Sequence, residues 1–140
     1  MFVACDSEIE RRLNMCKIVT IQNNVGDSFG VADIKKDIIE EIIRIAAECK
    51  LIDKIYLFGS SLEKRCTKKS DIDLAIVSNV TRSKLFRSKS YDDFTTKLYK
   101  INEGQDYDIL TFNSQAALDN SKEFVARDIL TKGKVIFKNV

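Results

Sequence analysis

The sequence contains no histidine, and this absence removes a whole class of catalytic and metal chemistry. An imidazole cannot serve as general base, nucleophile or zinc ligand, so acid–base and metal-binding roles fall to Asp, Glu, Lys or Tyr. Proline is also absent, which excludes a proline-rich linker. No apolar run approaches the length of a membrane span, and we therefore expect no membrane association.

The four cysteines indicate neither a zinc site nor a secreted disulfide scaffold. They are Cys5, Cys16, Cys49 and Cys66, and no two of them form a Cys-x-x-Cys pair. The N-terminus lacks the basic start and long apolar region of a secretory signal. We therefore expect reduced cysteines and a cytoplasmic protein.

Length and charge narrow the class further. The 140 residues suit one domain with a single core. The net charge of +2 gives no strong attraction to nucleic acid or to membranes, so nucleic acid is disfavoured as a partner.

Hydrophobic periodicity predicts several helices. The clearest covers residues 31–49, where apolar residues recur at steps of three and four and Lys35 falls on the opposite, solvent-facing side. The same reasoning predicts helices over residues 91–101 and after Asn120 or Ser121. The remaining predictions are a helix from Ser7 to about Cys16, a strand over 17–22, a turn over 23–27, a mobile loop over 78–90 and a closing strand over 134–137.

The most informative stretch is residues 55–77, where two apolar runs of strand length flank a basic loop. The second run opens with Asp71 and Asp73, and alternate residues of a strand lie on one face. Two carboxylates on one face repel each other unless a cation lies between them. A hard divalent ion such as Mg²⁺ fits this pair, and we predict a metal site there.

The first apolar run of this stretch ends in Gly59 and Ser60. A strand that ends in Gly-Ser and then turns presents backbone N–H groups beside a hydroxyl, and together they form an anion site. Ser61, Lys64 and Arg65 follow in the loop and are candidates for further phosphate contacts. An anion site beside a carboxylate metal site indicates a metal-bound nucleoside triphosphate, and hence phosphoryl or nucleotidyl transfer.

Residues 57–60, Leu-Phe-Gly-Ser, and residues 70–74, Ser-Asp-Ile-Asp-Leu, together resemble the signature of the DNA polymerase β-like nucleotidyltransferase superfamily. The spacing and small size are similar to those of the minimal nucleotidyltransferases (MNT), many of which act as antitoxin partners of HEPN-domain proteins. The resemblance implies an α/β fold with a short mixed β-sheet packed with helices. We take residues 31–140 as the nucleotidyltransferase domain and residues 1–30 as an N-terminal extension of unknown role.

The superfamily takes a third carboxylate from a later strand, in which an aspartate lies between apolar residues. Asp108, between Tyr107 and Ile109, matches this setting. Asp106 has the same strand parity and is the alternative. We expect Asp108 to lie deeper in the sheet than Asp106 and to be the ligand of the two.

The resemblance also implies a mechanism. Asp71, Asp73 and Asp108 would hold two Mg²⁺ ions, and Asp108 would accept the proton of the attacking hydroxyl. Gly59 and Ser60 would hold the terminal phosphates in line. The reaction would move a nucleoside monophosphate, AMP from ATP, to a hydroxyl acceptor.

The loop departs from the superfamily pattern at two positions. Many relatives carry arginine where this chain has Ser61 and Glu63. Lys64 or Arg65 would then have to supply the positive charge for the phosphates.

The residues that follow Asp108 suffice to finish the sheet, so we expect a partner or a second copy to present the acceptor. We favour transfer to a hydroxyl of a HEPN-type protein partner, in an antitoxin role. One alternative is a small-molecule (drug) adenylyltransferase that acts as a dimer, the homo-oligomer in which a second copy completes the site. Another, from a different class, is a non-catalytic nucleotide- or partner-binding antitoxin module, although the presence of both Asp71 and Asp73 argues against it.

Overall fold

A computed structural model describes residues 15–140, so the helix predicted from Ser7 falls almost entirely outside the described residues. None of the helices in the described range has the length and apolar character that crossing a bilayer requires. The strands are β1 (Ile18–Gln22), β2 (Ser28–Ala32), β3 (Ile52–Phe58), β4 (Ile72–Ser78), β5 (Tyr107–Phe112) and β6 (Lys134–Lys138). The α-helices are α1 (Lys36–Ala46), α2 (Arg82–Arg87), α3 (Lys89–Ile101), α4 (Gln115–Asp119) and α5 (Phe124–Lys132).

Four of the strands form one mixed sheet in the order β5-β4-β3-β6. Strand β3 is antiparallel to both of its neighbours, whereas β4 and β5 are parallel. Strands β1 and β2 form a separate antiparallel hairpin. The predicted α/β class with a short mixed sheet packed with helices is confirmed.

The two faces of the sheet are covered unequally. Ile72, Leu74 and Ile76 of β4 belong to a large buried cluster with α1, α3 and the hairpin. Ala75 and Val77, which alternate with them, belong to a smaller cluster with α4 and α5. Strand β4 is almost continuously apolar because it is buried on both faces, as its sequence predicts.

The β1–β2 hairpin packs on the sheet and also covers β6. The Asn23 side chain shapes the turn, since its Oδ1 accepts from the Asp27 N–H at 2.9 Å, and its Nδ2 donates to Val135 O at 3.0 Å. Asn24 donates to Lys138 O at 2.6 Å and accepts from the Lys138 N–H at 2.8 Å. The predicted strand and turn over residues 17–27 are confirmed, and the division of the chain at residue 30 stays a prediction.

Three local predictions are wrong. The helix predicted from residue 31 begins at Lys36, because residues 28–32 pair with β1 and residues 33–35 form a 3₁₀ turn. That turn rotates Lys35 into the interior, where it is 1% exposed. The loop predicted over 78–90 contains α2, which begins where the Thr81 hydroxyl accepts from a backbone N–H.

Candidate active site

The turn after β3 is held against β4 by a close approach at Gly59. Gly59 opens a 3₁₀ turn, Gly59–Leu62, and has a φ of +76°, a region that glycine adopts without strain. A Cβ at this position would lie 2.1 Å from Asp73 Oδ2, so any larger residue would displace the Asp73 carboxylate. The predicted anion site and the predicted metal site are therefore in direct contact.

The carboxylates meet across the parallel pair of strands. Asp73 and Asp108 are register partners in β4 and β5, and neighbouring strands lie about 4.8 Å apart. Asp71 lies two residues before Asp73 and just outside the strand. Burial, followed by the negative charges of Asp108 and Asp71, raises the pKa of Asp73 to about 6.

The carboxylate side chains do not lie close enough together to form a complete set of metal ligands. Across residues 15–140, no three His, Cys, Asp or Glu side chains converge closely enough to form a metal-binding group. Asp71 and Asp108 are exposed and Asp73 is half-buried. The expectation that Asp108 lies deep in the sheet is wrong, because β5 is an outer strand; Asp106 is exposed as well.

The remaining residues predicted to contact phosphates differ in accessibility. Ser60 is half-buried, whereas Lys64 and Arg65 are exposed. Ser61 is fully buried, and its Oγ has no hydrogen-bond partner within the part of the chain that the structure describes. Arg65 forms an ion pair with Glu63, which partly neutralises its charge.

A cavity of about 580 Å³ borders Gly59, and its lysines were not predicted from the sequence. Lys132, at the end of α5, and Lys134, at the start of β6, line it together with Arg65. Lys134 reaches this place because it pairs with Leu57 near the end of β3. The closing strand was predicted, but its pairing with β3, which would have revealed the lysine, was not.

Comparison with known proteins gives a family. A family model described as polymerase beta, nucleotidyltransferase matches residues 40–140. No curated protein matches this chain. One similar solved chain comes from a crystal structure of a mutant of the toxin–antitoxin pair MntA–HpeT, with a TM-score of 0.46, 19% sequence identity and coverage of 72% of this chain and 73% of that one. Because the family model spans most of the chain and includes Gly59, Asp73 and Asp108, this chain belongs to the polymerase β nucleotidyltransferase family.

Proposed function

We propose that this chain uses Mg²⁺ to transfer a nucleoside monophosphate, AMP from ATP, to a hydroxyl acceptor. The observation that carries the proposal is the contact between Gly59 and Asp73, with Asp108 beside Asp73 on the next strand. This contact joins an anion-binding turn to a group of carboxylates, which is the arrangement that transfer from a metal-bound triphosphate requires.

Asp71, Asp73 and Asp108 would hold the Mg²⁺ ions. Carboxylate oxygens are the hard ligands that Mg²⁺ prefers. Burial, followed by the negative charges of Asp108 and Asp71, raises the pKa of Asp73, and a bound cation would lower it again. The bound ions would stabilise negative charge on the attacking and leaving oxygens.

The chain's own groups would bind the triphosphate and handle the proton. The backbone N–H groups of the turn Gly59–Leu62 and the Ser60 hydroxyl would bind terminal phosphate oxygens. Lys64, which is exposed in the same loop, and Lys134, which lines the cavity beside Gly59, would add positive charge. The Asp108 carboxylate, which is exposed, would accept the proton of the acceptor hydroxyl.

We further propose that the acceptor hydroxyl belongs to a HEPN-type protein partner, in an MNT-type antitoxin role. The carboxylates support this choice because Asp71 and Asp108 are both exposed at the end of the sheet. A hydroxyl carried on another protein can therefore reach them without entering a deep cleft.

A non-catalytic antitoxin module is the second candidate. Ser61 and Glu63 favour it, because they occupy the loop positions where relatives carry phosphate-binding arginines. Ser61 is buried, and Glu63 forms an ion pair with Arg65. Such a module would bind Mg-ATP or the partner without turnover.

Labelled ATP distinguishes the two functions. The protein is incubated with Mg²⁺, ATP labelled at the α-phosphate and the protein encoded by the neighbouring reading frame, with Asp73→Asn as the matched control. Label on the partner and released pyrophosphate, both absent with the variant, support the transferase. Calorimetric binding of Mg-ATP or of the partner without transfer supports the module. The absence of transfer, of Mg-ATP binding and of partner binding contradicts both functions.

A further inference from the structure

Lys35 is a buried lysine whose surroundings match its hydrogen-bonding capacity. It is 1% exposed, and an ammonium group in the interior is costly unless it is fully paired. Its Nζ donates to Lys68 O at 3.2 Å, to Ser70 O at 2.9 Å and to Gln105 Oε1 at 2.5 Å. An ammonium has three N–H donors, and here three oxygens accept from it.

The acceptors lie in the two segments that lead into the carboxylate strands. Ser70 directly precedes Asp71, and Gln105 leads into β5. The Gln105 Nε2 donates to Ser70 O at 3.0 Å and to Asp106 O at 2.7 Å. The Ile72 N–H also donates to Asp106 O, at 3.0 Å. The starts of β4 and β5 are thus joined in one network that includes the Lys35 ammonium.

This network supplies a constraint that a parallel strand pair needs. No tight turn links β4 to β5, since α2 and α3 lie between them, and parallel pairing is slightly less stable per residue than antiparallel pairing. A slip of one residue would turn Asp108 to the other face, away from Asp73. Contacts at the first residues of both strands are well placed to prevent it.

We propose that Lys35 is a positioning residue that fixes the start of β4 against the start of β5, and so sets the spacing of Asp73 and Asp108 for metal binding. The metal-binding part of this inference rests on the proposed function. The alignment of the two strands does not, and it can be measured without any ligand.

The charge of Lys35 gives the test a clear direction. Burial lowers the pKa of Lys35, and the negative charge of Asp71 only partly opposes this shift. If Lys35 acted only through its charge, its removal would leave the carboxylates more negative and divalent ions would bind more tightly. A positioning residue has the opposite effect, because its loss separates the ligands.

The test compares Lys35→Met, which keeps an unbranched buried side chain, with Leu85→Ala. Leu85 is fully buried in the large core cluster on α2, which follows the end of β4, so this control lowers stability without touching the network at the strand starts. Mn²⁺ serves as the probe, and its binding is measured by electron paramagnetic resonance at temperatures where both variants are folded. We expect Lys35→Met to bind Mn²⁺ about tenfold more weakly than the wild type and Leu85→Ala to bind it as the wild type does.

Native-state amide exchange provides the readout that needs no metal. We expect faster exchange of the Ile72 amide in Lys35→Met than in Leu85→Ala, because the contact between the strand starts is lost. Unchanged Ile72 exchange, or Mn²⁺ binding as tight as or tighter than that of the wild type, overturns the inference.

Two further outcomes are decided in advance. If Lys35→Met does not fold, Gln105→Met takes its place, with the same directions of change expected and the same results overturning the inference. If the wild type binds no Mn²⁺, the metal-dependent function fails, and Ile72 exchange alone decides whether Lys35 aligns the strands.

Discussion

The two faces of β4 differ in how far they are covered. The face with Leu74 and Ile76 is buried from end to end beneath α1, α3 and the hairpin. The other face is buried at Ala75 and Val77, but α4 and α5 do not enclose its start, where Asp73 is only half-buried. A carboxylate is tolerated where cover ends because water still reaches it. Neighbouring residues of β4 therefore have different roles. Leu74 stabilises the core on one face, and Asp73 places a carboxylate at the open end of the other.

The difference between the two faces of β4 is tested most directly by substitution of Asp73 and Leu74, which are adjacent and lie on opposite faces. We expect Asp73→Asn to reduce transfer by about 10³-fold without lowering the metal-free melting temperature, because it removes a half-buried charge that Asp108 and Asp71 also repel. We expect Leu74→Ala to cost about 2–5 kcal/mol of stability while the turnover of each folded molecule persists. Melting curves and single-turnover rates check both, and wild-type turnover in Asp73→Asn would refute the metal-ligand role.

The next largest effect separates the two carboxylates at β5. We expect Asp108→Ala to reduce transfer by about 10²-fold or more, since it removes both a ligand and a proton acceptor. Asp106→Ala is the matched control, because Asp106 is also exposed and has the same strand parity but does not pair with Asp73. The free energy of unfolding of both variants should lie within about 0.5 kcal/mol of the wild-type value. Equal losses of activity in the two variants would mean that pairing with Asp73 does not decide which carboxylate binds the metal.

A pair of glycine substitutions sharpens the comparison at the turn. Gly59→Ala and Gly26→Ala place a side chain at similar positive φ values, +76° and +92°, and each should cost about 1–2 kcal/mol. Only at Gly59 would the new methyl group meet Asp73 Oδ2, whereas at Gly26 nothing lies within 4 Å. We expect transfer to fall about ten- to a hundredfold in Gly59→Ala alone. Similar activity in the two variants would show that the contact with Asp73 does not matter.

The smallest expected effect is a dependence of stability on pH. The pKa of Asp73 is raised from 3.8 to about 6, so between these values the folded state binds more protons than the unfolded state. The free energy of unfolding of the metal-free protein should therefore fall as the pH rises from about 4 to about 6. We expect this contribution to reach about 1–2 kcal/mol after solvent screening.

Urea unfolding across this pH range, without metal, measures the effect. Asp73→Asn is the control and should lack the Asp73 contribution to the pH dependence. Addition of Mg²⁺ at pH 7 should restore stability to the wild type more than to the variant. If the free energy of unfolding depended on pH in the same way in both proteins, the pKa of Asp73 would not be raised in the folded state.

The sequence predicted the site segment well because its evidence is local. The apolar run of β4 and the aspartates at its start identify both the strand and its chemistry, and the match of the family model confirms the family. The placement of Asp108 beside Asp73 followed from the resemblance rather than from periodicity, and the register agrees with that placement.

Lys35 and Asp108 show where this reasoning stops. Lys35 fits an amphipathic helix pattern as a surface residue, yet it is buried because its acceptors come from residues 33 to 70 positions further along the chain. Asp108 sits between apolar neighbours, yet it is exposed because β5 has a sheet neighbour on one side only. Both outcomes depend on the order of the strands, and no window of sequence contains that order.

The contacts of the hairpin turn with β6 have a consequence for how this protein can meet a partner. Outer strands attract other chains because their unpaired backbone groups can extend the sheet. Asn23 and Asn24 already occupy backbone groups of β6, and the Arg82 guanidinium occupies the Thr111 carbonyl of β5 at 3.0 Å. Strand addition is therefore obstructed at β6, where Val135 and Lys138 are already bonded to the hairpin turn. A chain that extended the sheet along the whole of β5 would have to displace Arg82 from Thr111.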